Sequence, residues 1–184
     1  ALSRARAGSI TGTLDDPATA SLAQAAYTLV VYPDDATVAA LAAHDVDTIL
    51  VPYGASGAQA LTFGLDRAGG LEKVGNTNSG IVWRVRPSAI KPSRVRVESS
   101  GGITTDVGSS QLRVDGNVDA SGTLILAERA DSGWRASVDG VALIPTDPVD
   151  GWAQAFDMPA AGRLTVTYSA WWIIPWRVGA GICL

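Results

Sequence analysis

The chain has 184 residues, of which 47% are apolar and 17% charged; it is long enough for one large or two small cores and too apolar for disorder, with fewer charges than the roughly 25% of an average soluble domain. The formal charge is −4, and the basic residues, Arg in twelve of fourteen cases, are scattered rather than gathered into a stripe, which excludes nucleic acid as a partner. A single cysteine, Cys183, excludes an internal disulfide framework or a cysteine metal cluster, and neither metal nor cofactor is expected.

Ala1 opens the chain with no apolar signal core behind it, as in a domain taken from a longer protein. Asp16-Pro17 reads as the N-cap and first position of an Ala-rich helix running to about Ala26. A strand, Tyr27 to Tyr32, is predicted next. Asp34 and Asp35 then cap a second helix, with Val38, Leu41 and Ala42 at helical spacing, before the apolar strand Thr48 to Tyr53. A third helix over Gln59 to Ala68 is closed by Gly69-Gly70. Leu71 to Val74 and Ile81 to Val85 flank a turn-rich Asn76-Thr77-Asn78-Ser79-Gly80 and predict a hairpin.

Pro87 and Pro92 bracket a boundary, so the α/β part is expected over residues 1–88. Beyond it, over 89–169, the pattern is almost wholly β. Arg94–Glu98, Gln111–Val114, Thr123–Ala127, Trp134–Val138, Val141–Ile144, Ala153–Phe156 and Leu164–Tyr168 are separated by turn residues every few positions, with Asp139-Gly140 the clearest two-residue hairpin. The expected fold class is therefore α+β: a small N-terminal α/β layer followed by an antiparallel, jelly-roll-like sandwich of about seven or eight strands.

Residues 170–184 hold Trp171, Trp172, Trp176 and Arg177 in an otherwise apolar run. Indole and guanidinium groups at the start of such a run suit the headgroup level of a bilayer, although the run is shorter than the roughly 20 residues a span needs. It reads either as the start of a membrane segment or as a tail packed on the sandwich.

Several segments together resemble a family. Leu124-Ile125-Leu126-Ala127-Glu128, then Asp131-Ser132-Gly133-Trp134-Arg135-Ala136-Ser137-Val138-Asp139-Gly140, is similar to the strand and "x-x-G-W-x-a-x-V-D-G" signature near the C-terminus of YfhO-like bacterial membrane proteins. Gly151-Trp152 to Ala160 and Gly162-Arg163-Leu164-Thr165-Val166-Thr167-Tyr168 resemble the ending before that family's last transmembrane helix. Leu41 to Val51 resembles its helix-to-strand unit, with Thr48 where an aromatic is usual, and Gly70-Leu71-Glu72-Lys73-Val74-Gly75 through Val82-Trp83-Arg84-Val85 resembles its hairpin. The likeness runs from about residue 20 to 178. It is nearest in character to long actinobacterial proteins that join a family 2 glycosyltransferase module to many transmembrane helices.

The resemblance implies an extracytoplasmic domain on a bacterial cell membrane, attached to that membrane through the rest of its parent chain. It also implies transfer chemistry located elsewhere in the parent, and envelope glycan or lipid-linked sugar as the partner. Within such a domain a flat ring would stack on a pyranose while polar neighbours take its hydroxyls. Trp134, Asp150, Trp152 and Gln154 form the expected set, with Trp152, at a turn, expected to be the more exposed of the two indoles.

Other chemistry is weaker. Asp45-Val46-Asp47 is formally the D-x-D that holds a metal and a nucleotide diphosphate, and equally a helix-to-strand turn. His44, the one histidine, reads as a helix C-terminal residue, and no G-x-S-x-G accompanies it. Gly54-Ala55-Ser56-Gly57 lacks the lysine of a phosphate loop. Glu128 and Asp131 are the one pair that a free-standing glycoside hydrolase could use, against strand-end and turn roles. A structural or protein-interaction domain without sugar binding is the other alternative.

Overall fold

Each of the first two helices begins where an aspartate supplies its cap. In the computed structural model, which describes residues 16–88, 90–99, 104–107 and 113–169, α1 spans Pro17–Val31 and α2 spans Asp35–Ala43. Asp16 accepts from the Thr19 N–H and Asp34 from the Thr37 N–H, both at 2.8 Å, pairing donors that a helix start leaves open. Asp35, expected to share the capping of α2, instead accepts from the Ser88 N–H at 3.1 Å and ties the start of α2 to the segment after the hairpin.

No strand forms over Tyr27–Tyr32: α1 continues through it to Val31. The aromatic and β-branched residues there favour a strand locally. Helical spacing, however, places Leu22, Ala25 and Leu29 together against the core, and that burial outweighs a propensity difference of a few tenths of a kcal/mol per residue. The helix stops at Tyr32, whose φ of −132° and ψ of 80° fit a residue held out of the helical region by the following Pro33.

Strand β1 (Thr48–Pro52), helix α3 (Ala58–Leu65), β2 (Leu71–Asn76) and β3 (Gly80–Val85) complete the first unit. The strands form an antiparallel sheet in the order β1-β3-β2. Val51, Trp83 and Val85 meet Leu29, Val38, Leu41 and Leu65 from the helices in one core. Gly70 is required where the chain turns into β2: its φ is +78°, and a Cβ there would lie 2.6 Å from Asp35 Oδ1 and 2.9 Å from Pro87 Cα.

The chain divides between Ser93 and Arg94 into two compact units. The second is built from β4 (Val95–Glu98), β5 (Thr104–Asp106), β6 (Arg113–Val118), β7 (Gly122–Arg129), β8 (Trp134–Val138), β9 (Val141–Ala142), β10 (Ile144–Pro145), β11 (Ala153–Met158) and β12 (Gly162–Tyr168). Its two antiparallel sheets run β10-β11-β7-β4-β5 and β6-β12-β8-β9. Val97, Leu124, Phe156 and Met158 of the first sheet face Val114, Ala136, Leu164 and Val166 of the second. The fold is thus α+β with a β-sandwich, the chain passing repeatedly from one sheet to the other in jelly-roll fashion.

Two local features explain departures from the expected strands. The stretch Val141–Ile144 is not one strand: Val141–Ala142 pairs with β8, whereas Ile144–Pro145 pairs with β11. The crossing falls at Leu143, whose N–H is held by the Ala136 carbonyl at 2.8 Å while its side chain packs on the core. In β7 the consecutive Leu124, Ile125 and Leu126 are all buried, so both faces of that central strand are covered, which an alternating pattern would not have produced.

Among the described residues no helix is long and apolar enough to cross a membrane. Trp171, Trp172, Trp176 and Arg177, expected at a membrane interface, lie outside the described residues.

Candidate functional site

The Gly133-Trp134 signature builds one corner of the sandwich. Asp131 begins it: its Oδ1 accepts from the Gly133 N–H at 2.6 Å. A Cβ on Gly133 would lie 2.8 Å from Tyr168 Cε2 and 2.9 Å from Asp131 Oδ1, so glycine is needed there for room. Trp134 is 8% exposed and meets Tyr168, its partner across β8 and β12, edge to face at 4.8 Å between ring centres. The Arg94 guanidinium stands 5.9 Å from the same indole and is itself paired with Glu128 at 2.8 Å. The next turn, Asp139-Gly140, has φ of 49° and 81°, the left-handed pair of a tight hairpin, and Asp139 Oδ1 accepts from the Arg163 N–H at 2.9 Å.

The expected sugar-contact residues are therefore not one exposed platform. Trp152, expected to be exposed, is 5% exposed. It follows a turn in which Asp150 and Gly151 both have positive φ, and that turn folds the indole inward. Gln154 is equally buried; its Oε1 accepts from the Asp131 N–H at 3.0 Å and its Nε2 donates to the Ala155 carbonyl at 3.0 Å. Only Asp150 of the four is exposed. Glu128 and Asp131 are held by Arg94 and by their own turn, respectively.

Burial, and after it the Asp131 carboxylate, pushes the Tyr168 phenol above its ordinary value of 10.0. The fold thus favours the protonated phenol, so its contribution to stability is complete below pH 10 and is lost as pH rises through the raised folded value. Urea midpoints measured at about pH 8 and about pH 11 should fall more for the parent chain than for Tyr168→Phe. Equal falls would remove Tyr168 from this role.

Among the described residues each unit has a concavity open to solvent. The sandwich holds a recess of about 360 Å³ lined by Trp134, Arg135, Ser137, Leu143, Thr165 and Thr167. Among these, Arg135 donates from its Nη1 to the Trp134 carbonyl at 2.8 Å.

The first unit holds a groove of about 390 Å³ between the end of β1 and helix α3. Gln59, Thr62, Phe63 and Asp66 line it, and their spacing of three, four and seven residues is that of one helix face. Tyr53 and Ile81 lie among the lining residues from the sheet side. Phe63 is 65% and Tyr53 56% exposed. Asp66 accepts from the Nε1–H of the wholly buried Trp83 at 3.0 Å and pairs with Lys73 at 2.8 Å. The Lys73 hydrogen bond, with a smaller share from Trp83, holds the Asp66 carboxyl below its ordinary value of 3.8.

The groove was missed from the sequence, although the Gln59, Thr62, Phe63, Asp66 stripe was there to be found on the side of α3 away from Leu61 and Leu65. Asp45, at φ 59°, makes the turn out of α2, and the Asp47 carbonyl accepts from the Val85 N–H at 2.9 Å. His44 caps α2, and its Nε2 lies 3.0 Å from Ser21 Oγ, a contact between two helices. No group of three or more His, Cys, Asp or Glu side chains is placed to hold a metal among the described residues. Compared with protein-family models, curated proteins and solved structures, the chain matches none.

Proposed function

We propose that this chain is a non-catalytic accessory domain on the extracytoplasmic face of a bacterial membrane-bound glycosyltransferase, where it recognises or positions envelope glycan or lipid-linked sugar. What supports the reading most is that the residues carrying the family resemblance act together along one strand pair, β8 and β12, with the Asp131 turn and the Trp134–Tyr168 contact at one end and the Asp139–Arg163 tie at the other. A likeness of architecture is what a domain carried on a larger enzyme would keep. The acidic side chains that a hydrolase would need are held in caps, turns and ion pairs, as Asp34, Asp131 and Glu128 illustrate.

The test is retention on immobilised envelope polysaccharide, with the eluate assayed for released sugar. Retention without release is expected. Release abolished by Glu128→Gln would restore the hydrolase. A second reading, docking to protein without sugar contact, is favoured by the apolar ridge Tyr27, Val30 and Val31 on α1, each exposed and spaced to share one helix face. Failure to bind any polysaccharide, with capture of another domain of the same parent chain through this ridge, would select it.

A further inference from the structure

The groove between β1 and α3 has the composition of a sugar subsite, and we infer that it binds a pyranose residue of a neutral glycan. This rests on the glycan-recognition reading and names its site. Water is a poor environment for aromatic rings, yet Phe63 and Tyr53 both line the groove more than half exposed, and the Arg67 guanidinium stands 5.4 Å from the centre of the Phe63 ring. A pyranose offers what such a pair fits: an apolar face of C–H groups bordered by hydroxyls.

The polar partners are in the same stripe. Gln59 brings an amide donor and acceptor, Thr62 a hydroxyl, and Asp66 a carboxylate. Trp83 and Lys73 each engage one Asp66 oxygen, which orients the group and leaves a second acceptor direction on each oxygen for a ligand hydroxyl. Trp83 is wholly buried, so its N–H is a fixed anchor, and little ordering is left to be lost on binding. A sugar carboxylate in place of that hydroxyl would meet the Asp66 carboxylate directly, so this contact selects a neutral sugar over an anionic one. The volume of about 390 Å³ lies within the roughly 300–1,000 Å³ of small-molecule sites.

The sandwich recess fits this ligand less well. Its one indole, Trp134, is 8% exposed, against 65% for Phe63.

The experiment is a ¹H–¹⁵N titration of the whole chain with linear tetrasaccharides of α-linked glucose, β-linked glucose, galactose and mannose. Shifts concentrated between Tyr53 and Asp66 are expected with at least one. Phe63→Ala should weaken that binding roughly ten-fold, the loss of about one stacking contact, while Phe63→Trp retains it and Tyr27→Ala, on α1, leaves it unchanged. Phe63 is a surface residue, so both substitutions are compatible with the fold, which far-ultraviolet circular dichroism verifies. Binding undiminished in Phe63→Ala, or shifts confined to the sandwich, overturns the groove and leaves glycan recognition standing. Silence with every tetrasaccharide, while the chain is still retained on envelope polysaccharide, does the same; absence of both overturns both. Self-association abolished by Phe63→Ala, without sugar shifts, would make the groove an interface between copies and likewise overturn the proposal.

Discussion

Replacing Trp134 by alanine is expected to destabilise the sandwich by about 3–5 kcal/mol, the range for removing a large aromatic from a core. The indole is 8% exposed, is met edge to face by Tyr168 and is approached by the Arg94 cation. Its removal therefore forfeits burial, an aromatic contact of about 0.5–1.5 kcal/mol and the cation contact, and leaves a void at the corner where β8 and β12 pair. Against a total of about 5–15 kcal/mol for a typical domain, this is a fifth of the stability or more. Trp134→Phe should recover most of it. Urea unfolding of both variants checks the result. A Trp134→Ala chain that unfolds at the parent midpoint but is no longer retained on glycan would make the ring a sugar platform instead of a core residue.

Trp83→Ala should cost the first unit a similar amount, about 3–5 kcal/mol, and should also reach the groove. Trp83 is wholly buried among Leu41, Leu65 and Val85, and its N–H anchors Asp66. The two effects separate in Trp83→Phe, which keeps most of the apolar volume and removes the donor. Asp66 is exposed, so water replaces the lost partner, and the net cost should be about 1 kcal/mol. If the anchored carboxylate positions a sugar hydroxyl, Trp83→Phe weakens tetrasaccharide binding more than it weakens the fold. Unchanged affinity would show that the Lys73 pair alone holds Asp66.

How far the sequence could be read depended on whether local and tertiary preferences agreed. They agree at Asp16-Pro17, at Asp34 and at Asp139-Gly140, where the residue that fits the turn or cap locally is the one the fold uses. They disagree over Tyr27–Val31, where strand-forming residues are drawn into a helix because Ala25 and Leu29 are needed in the core. At Leu143, Val141 and Ile144 have one apolar character but belong to different sheets, a distinction that pattern alone does not carry.

The site was less legible for a related reason. Trp and Gln can serve either a core or a sugar, and only burial decides; at Trp152 and Gln154 it decides for the core. The exposed rings that line the groove, Tyr53 and Phe63, are separated by a loop and half a helix. Only the packing of α3 beside β1 makes them neighbours of one groove.

The measurement that bears most directly on a recognition domain without catalysis is the anomeric proton spectrum of the tetrasaccharide that binds best, followed for hours beside the chain. A recognition domain without catalysis broadens the sugar signals by exchange with the bound state and leaves the anomeric pattern unchanged with time. New reducing-end signals that grow in the parent chain and are absent in Glu128→Gln would contradict it, because the Glu128 carboxylate would then be acting on the glycosidic bond and not merely holding Arg94.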